Sequence, residues 1–422
     1  MTTARPGESR PVSPLRHMSR LWTGRLAVLT GYALVVECVK AGEYLDRNGF
    51  HLHIGDAWPL AGHWQDRTGR WTILLVVLAL GYVWAAPRFA SWARWRFLLP
   101  AGFAIGAAWP IMVALIDGPR ALTAPLRDVH EYLYEVPRVT DLTTFWSGFT
   151  DHIIDRPEWT THVGGHPPGM LFGLTVMDRI GLGGAEWYAA LCLVTGAAAV
   201  PAVIATTRLL GGDPLARRAA PFVALSPAAL WIATSSDAFF AGVGAIGICA
   251  LAHSAARHDR RGDVLALLGG LALAGCLYLS YGLVLLGPLA LAVVAVQRRW
   301  RPLLLAAVPV VGLFVAGLLA GFNWFEGLAL SSQRVHNGDA WNERPGLYFG
   351  FAAVATVLIS AGPAVFAAAG WLRRNRFAVL PGAVTLAMLV AIGSGLSVGE
   401  TERIYLPFVL WLLPVSGLLP EG

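Results

Sequence analysis

The segment from Arg127 to Gly169 holds the residue types that could do chemistry in an otherwise apolar chain. Three of its acids, Asp128, Glu131 and Glu135, are spaced i, i+3 and i+7, which predicts that they share one face of a helix. A carboxylate on that face, turned toward a water-poor pocket, would serve as a general base or a metal ligand. The alternative is an acidic helix solvated at the membrane surface. Tyr132, beside Glu131, is an expected substrate contact.

The same segment ends in His166-Pro167-Pro168, a rigid entry to the next apolar run. The two prolines fix φ and remove donors, so His166 is expected to be held in one direction. Proline suits the first turn of a helix, and a helix is therefore predicted to begin at Pro168. The exposed end of that helix would be suited to a phosphate. The alternative is a simple helix start with an incidental histidine.

Two further sites carry charge close to apolar spans. Asp237 lies at a short turn before a span, where an acid is costly and marks a functional candidate. It could equally cap the next helix, as Ser and Asp often do. Glu400 and Arg403 precede the last apolar run. Arg403 could hold a phosphate or carboxylate, or pair with Glu402 instead.

The composition places these residues in a membrane protein. Hydrophobic residues make up 56% of the 422 residues and charged residues 14%, whereas soluble proteins carry about 25% charged residues. The net charge of +6 comes mostly from arginine beside the spans, so no nucleic-acid partner is expected. The chain has no Walker motif, no dinucleotide fingerprint and no GxSxG sequence.

Arginine clusters between the apolar runs predict which loops are cytosolic. Both termini are then inside, and the acid-rich loops lie outside the plasma membrane. The run at 168–180 is too short to cross, since a span needs about 20 residues, and is predicted as an interfacial or re-entrant helix. About twelve spans are predicted, near 26–42, 72–87, 98–116, 186–208, 219–234, 238–255, 264–279, 282–296, 302–320, 347–371, 377–394 and 404–419.

This threading predicts an all-α bundle with four regions. A basic cytosolic tail at 1–25 is followed at 26–97 by two spans around an outer loop, 43–70. Residues 98–260 contain the long outer loop 117–167 and the interfacial helix. Residues 261–422 form a second membrane half with outer loops 321–346 and 395–403.

An acidic motif in a long outer loop, followed about 40 residues later by His-Pro-Pro at the start of an interfacial helix, resembles the GT-C superfamily of membrane glycosyltransferases. Protein O-mannosyltransferases and the aminoarabinose transferases of lipid A are examples. The later order is also similar: an arginine-bearing inner loop before Pro221, then Ser226-Pro227, then the outer acid Asp237. The resemblance covers roughly 98–240, with a weaker echo at 400–403. Two features depart from the superfamily: two extra spans precede the loop, and Asp128 and Glu131 are not contiguous.

The resemblance implies roles for these residues. Asp128 would be the first choice for the catalytic base and Glu131 the second, with His166 facing the donor phosphate. Pro167 and Pro168 would shape the site, and Asp237 would be a second acid lining it. A divalent cation, Mg or Mn, would be held by Asp128 and Asp237.

The function implied is sugar transfer on the extracytoplasmic face. The donor would be a polyprenyl-phosphate sugar reached from membrane lipid, and the acceptor a hydroxyl of a cell-envelope lipid or glycan. The alternative is a transporter or flippase of a lipid-linked or anionic substrate, and a third reading is a non-catalytic assembly or sensor protein. A carrier usually needs ionisable groups within several spans, and few occur here, chiefly Glu37, Lys40 and His253.

Overall fold

The computed structural model describes residues 14–50, 52, 60, 68–233, 235–338, 344–372, 376–396 and 399–420. Within these ranges every regular element is a helix, which confirms the all-α class. The α-helices in chain order are α1 (Pro14–Arg47), α2 (Arg70–Trp92), α3 (Trp95–Ala114), α4 (Tyr132–Glu135), α5 (Leu142–Ser147), α6 (Thr161–Gly164), α7 (Gly169–Arg179), α8 (Ala185–Gly211), α9 (Asp213–Ala224), α10 (Ser236–Ala255), α11 (Arg260–Leu279), α12 (Gly287–Gln297), α13 (Arg301–Leu319), α14 (Trp324–Asn337), α15 (Gly346–Ala361), α16 (Pro363–Ala367), α17 (Val379–Ser394), α18 (Thr401–Ile404) and α19 (Leu406–Val409).

Seven segments of the described chain are long and apolar enough to cross a membrane, as expected of a multi-pass membrane protein. They are Trp71–Trp92, Trp95–Asp117, Ala185–Gly211, Ser236–Ala255, Arg260–Leu279, Arg301–Leu319 and Arg376–Ser394. A bent pair, Gly346–Ala361 with Pro363–Trp371, is an eighth candidate and turns by 94°. The turn lies at Gly362, whose φ of +80° favours glycine. About twelve spans are therefore not confirmed.

The other predicted spans coincide with helical segments that are too short, broken or too polar. Helix α1 covers 26–42 but carries the exposed Glu37–Lys40 ion pair. The span at 219–234 is broken because α9 ends at Ala224 and Ser226 is extended before Pro227. Segments Tyr281–Gln297 and Leu406–Leu418 are shorter apolar helices. The predicted loop 43–70 and tail 1–25 lie largely outside the described residues, although 14–25 belong to α1.

The helices that surround the candidate site cross closely through small residues. Helix α8 packs on α3 and α10, α10 on α11, and α11 on α13. A Cβ on Gly242 of α10 would lie 2.0 Å from the Thr195 carbonyl oxygen of α8. A Cβ on Gly270 of α11 would lie 2.2 Å from the Ala306 carbonyl oxygen of α13. Glycine at these positions lets the backbones approach, as is common between membrane helices.

The long polar loop at 117–167 folds into a compact set of 3-10 turns and the short helices α4, α5 and α6. An aromatic core supports it, in which the Phe149 ring stacks on Trp159 and meets Phe322 edge-on. Helix α7 follows, with Pro168 at its N-cap, as predicted to within one residue. Its 11 residues are too few to cross a bilayer. Its place at a membrane interface stays a prediction.

Candidate functional site

Glu135 anchors the polar loop. Its carboxylate is 1% exposed and accepts hydrogen bonds from Arg138 Nη1 at 2.9 and 2.7 Å. The Thr160 amide donates to the same carboxylate at 2.9 Å. Arg138 also donates to the carbonyls of Pro157 and Glu158, both at 3.1 Å. Because these hydrogen bonds engage both carboxylate oxygens, the role of Glu135 is structural.

Five titratable side chains from separate parts of the chain meet beside this loop. We call Glu131, His162, Asp237, Glu400 and Arg403 the charged cluster. Arg403 lies at its centre: Nη2 is 2.6 Å from Glu400 Oε2, and Nη1 is 3.5 Å from Asp237 Oδ2 and 3.6 Å from Glu131 Oε1. The cluster therefore joins the polar loop, the start of α10 and helix α18.

Glu131 presents one engaged and one free carboxylate oxygen. Oε1 lies 3.1 Å from His162 Nδ1 and near Arg403. Oε2 is buried and makes no hydrogen bond within the described part of the chain. The side chain is only 8% exposed. A buried carboxylate oxygen without a partner is costly, so a ligand hydroxyl is a fitting partner for it.

His162 lies between two carboxylates. Its Nδ1 faces Glu131, while Nε2 is 3.7 Å from Glu400 Oε2 and 2.5 Å from Arg403 Nη2. Burial alone would lower the pKa of His162, but Glu131 and Glu400 outweigh it and raise the pKa to about 9. The contact with Arg403 is a hydrogen bond only while Nε2 has a lone pair. The carboxylates of Glu131 and Glu400 favour a protonated ring at neutral pH, whereas the 2.5 Å N···N contact with Arg403 fits only a ring whose Nε2 is unprotonated.

Tyr132 and His166 cover one side of the charged cluster. His166 Nδ1 donates to the His162 carbonyl at 2.7 Å, and burial lowers the pKa of His166. The Tyr132 ring stacks on His162 with centroids 6.4 Å apart, and lies 6.0 Å from the His166 ring. Its hydroxyl is buried without a hydrogen bond in the described chain, and burial and the charge of Glu131 raise its pKa. A ligand-contacting role for Tyr132 and His166 stays a prediction.

Asp237 lies at the N-terminus of α10 and faces Arg403. The N-cap of α10 is Ser235, whose hydroxyl accepts from the Asp237 amide at 3.0 Å and donates to Asp237 Oδ2 at 2.9 Å. The alternative that Asp237 is the N-cap is therefore wrong. Its carboxylate is free to turn into the charged cluster because Ser235 satisfies the helix end.

Glu400 and Arg403 come together at the start of α18. Burial opposes the charge of Glu400, but His162 and Arg403 lower its pKa to about 2. Burial likewise opposes the charge of Arg403, yet Asp237, Glu400 and Glu131 raise its pKa. The expected alternative, a pair between Arg403 and Glu402, is not among the described ion pairs, in which Arg403 contacts Glu400, Glu131 and Asp237.

Asp128, the first choice for the base, does not join the charged cluster. Its side chain is exposed and Oδ1 accepts from the His130 amide at 2.8 Å, which forms a local turn. This turn delays α4 until Tyr132, so the prediction that Asp128, Glu131 and Glu135 share one helix face is wrong. A catalytic or metal role for Asp128 stays a prediction. Glu131 is better placed to act as a base, because its carboxylate is buried within the charged cluster.

Pro167 and Pro168 are buried at the entry to α7, as expected of a rigid support. They hold His166 against the His162 carbonyl and the Phe240 ring, whose centroid is 6.0 Å away. Sequence reasoning missed His162 itself. The one signal that pointed to it was its spacing of four residues from His166, within helical reach.

An apolar cavity of about 730 Å³ lies between α7, α10, α11 and α13. Its lining includes Gly169, three residues after His166, and Phe239, two residues after Asp237. Trp146 and Phe172 from the loop and α7 form another wall. The cavity thus includes residues from the first turns of α7 and α10, and its lining contains no member of the charged cluster.

The described residues contain no group of three or more His, Cys, Asp or Glu side chains arranged to hold a metal. No family model, curated protein or solved structure matches this chain. The site is therefore interpreted from its own geometry: a buried carboxylate with a free oxygen, a buried arginine among carboxylates, and an adjacent apolar cavity.

Proposed function

We propose that the chain is a membrane glycosyltransferase of GT-C type. It transfers a sugar from a polyprenyl-phosphate donor to a hydroxyl of a cell-envelope lipid or glycan. The observation that supports this most is Glu131, which is buried, has Oε1 within 3.1 Å of His162 Nδ1, and makes no hydrogen bond at Oε2 in the described chain. A buried carboxylate with one oxygen free is suited to act as a general base.

In the proposed reaction, Glu131 Oε2 takes the proton of the acceptor hydroxyl as its oxygen attacks C1 of the sugar. A glycosidic bond forms, the bond from C1 to the phosphate oxygen breaks, and the electron pair leaves with the polyprenyl phosphate. Arg403, close to Glu131, stabilises the charge of the leaving phosphate. Asp237 and Tyr132 are the proposed sugar contacts.

The apolar cavity supports a donor with a lipid chain. Its apolar lining from α7, α10, α11 and α13 suits an isoprenoid tail. Two of the lining residues follow site residues closely in the chain: Gly169 comes three residues after His166, and Phe239 two residues after Asp237. A tail in this cavity would leave the phosphate near the first turns of α7 and α10, the second of which carries Asp237. This arrangement lets a membrane lipid deliver its headgroup without leaving the bilayer.

We place the site on the extracytoplasmic face of the plasma membrane, on the basis of the arginine pattern of the sequence. A lipid-linked donor suits that face because nucleotide sugars are not normally available there. The Mg or Mn ion expected at Asp128 and Asp237 stays a prediction. Asp128 binds its own turn and Asp237 faces Arg403, and no step of the proposed reaction depends on a metal.

The test is a membrane assay with radiolabelled polyprenyl-phosphate sugars, mannose and arabinose first. Glu131→Gln keeps the side-chain volume but removes the base, so transfer should fall about 10²–10⁴-fold at equal membrane levels. Asp128→Asn is the matched control, since Asp128 is exposed and outside the charged cluster, and should keep transfer near wild type.

Each outcome bears on a different part of the proposal. Normal transfer by Glu131→Gln would remove Glu131 from the role of base. Loss in Asp128→Asn alone would return that role to Asp128. Movement of lipid across the bilayer by wild type, without label in any product, would favour the transporter or flippase instead.

A further inference from the structure

The Glu400 carboxylate occupies the place on Arg403 where an anionic ligand would bind. Glu400 Oε2 is 2.6 Å from Arg403 Nη2 and 3.7 Å from His162 Nε2. The other two carboxylates approach Arg403 less closely, with Asp237 at 3.5 Å and Glu131 at 3.6 Å. Arg403 and His162 thus form a site for one anion, and the chain itself supplies that anion.

A phosphate could not simply be added to this arrangement. Three carboxylates already face Arg403 and His162, and Arg344 adds a third cation near Glu400, so a phosphate added to this site would exceed its positive charge. One carboxylate must leave for a phosphate to bind.

Glu400 is the carboxylate best placed to leave. Its side chain is 38% exposed, whereas those of Glu131 and Asp237 are buried. Its backbone has φ of +50°, in the left-handed region that residues other than glycine rarely adopt, directly after Gly399 at +110°. Rotation of the half-exposed Glu400 side chain toward water would free Arg403 Nη2.

We propose that Glu400 is an internal stand-in for the phosphate of an isoprenyl phosphate ligand. When the ligand enters, its phosphate displaces the Glu400 carboxylate and binds to Arg403 and His162. The empty site is thereby closed by its own carboxylate. This inference rests on the proposed function, because it names the phosphate-binding groups of the same site.

The test is direct binding to the full-length protein in nanodiscs, which needs no transfer activity. Farnesyl phosphate is the probe, farnesol is the neutral control for the apolar tail, and inorganic phosphate is the control for the anion alone. Glu400→Gln removes the competing charge and should bind farnesyl phosphate about tenfold more tightly than wild type, since hydrogen bonds to charged groups carry roughly that factor or more. His162→Gln should bind it about tenfold more weakly for the same reason.

Glu326→Gln is the matched control, because Glu326 is exposed on α14 and lies outside the charged cluster. It should bind like wild type, and farnesol affinity should be equal in all variants. Equal farnesyl phosphate affinity in Glu400→Gln and Glu326→Gln, or no binding in any variant, would overturn the proposal. Inorganic phosphate bound as tightly as farnesyl phosphate would overturn the assignment to a lipid phosphate. Sugar transfer in the membrane assay would still decide the proposed function independently.

Discussion

The ion pair between the buried Glu135 and the partly exposed Arg138 should decide whether the loop that carries Glu131 stays folded. Glu135→Gln preserves volume, but its amide group replaces one of the two oxygens that accept from Arg138. Hydrogen bonds to charged groups contribute about 1.5–3 kcal/mol each, and because Arg138 is 34% exposed, the cost of about 3–5 kcal/mol for breaking a fully buried ion pair is an upper bound. Because Gln can still accept from the Thr160 amide, we expect a local cost of about 2–4 kcal/mol.

Hydrogen exchange of the loop measures this cost. At 2 kcal/mol or more, amides in 135–160 should exchange at least about 30-fold faster through local opening. Glu158→Gln is the control, since the Glu158 carboxylate is 44% exposed and 3.9 Å from Arg334. An exposed pair contributes less than about 1 kcal/mol, or less than about fivefold in exchange. Equal exchange in both variants would refute the anchoring role of Glu135.

Two other predictions test packing and charge. Gly169→Ala places a Cβ 2.4 Å from the Tyr278 carbonyl oxygen and should lower the free energy of unfolding in detergent by about 1–3 kcal/mol. Gly173→Ala is the control, because a Cβ there has nothing within 4 Å and should leave the stability unchanged. An equal fall in both variants would contradict the reasoning. The folded pKa of His162, about 9, is above its ordinary value, so its contribution is complete below about pH 6.5 and lost as pH rises through about 9. Thermal stability should therefore decline over that window by an amount on the order of 3 kcal/mol, and a pH profile unchanged in His162→Gln would show that another group titrates.

Several features of the fold could be predicted from the sequence because they depend on local rules. Long apolar runs predicted α2, α3, α8, α10, α11, α13 and α17 without knowledge of their neighbours. The start of α7 followed from Pro168, since proline suits a helix end whatever it packs against. The number of spans could not be predicted this way. Breaks at Pro227 and Gly362 turn apolar runs of adequate length into shorter or bent helices.

The site shows the same division. Glu131, Asp237, Glu400 and Arg403 were identifiable as polar residues where apolar surroundings make them costly. The sequence could not predict which of the loop acids points into the charged cluster. Periodicity applies to a continuous helix, and this loop is built of short turns. The Asp128 carboxylate accepts a hydrogen bond within a local turn, and the Glu135 carboxylate accepts hydrogen bonds from Arg138.

The sequence by itself determined that this is an all-helical membrane chain with acids concentrated in one long loop, because hydropathy and proline act over a few residues. Only the tertiary structure decided that His162 contacts Arg403, which is 241 residues away in the chain. Such a contact depends on how α6, α10 and α18 pack together, and no local pattern encodes it. Burial by that packing also sets the charge balance on which the proposed chemistry depends.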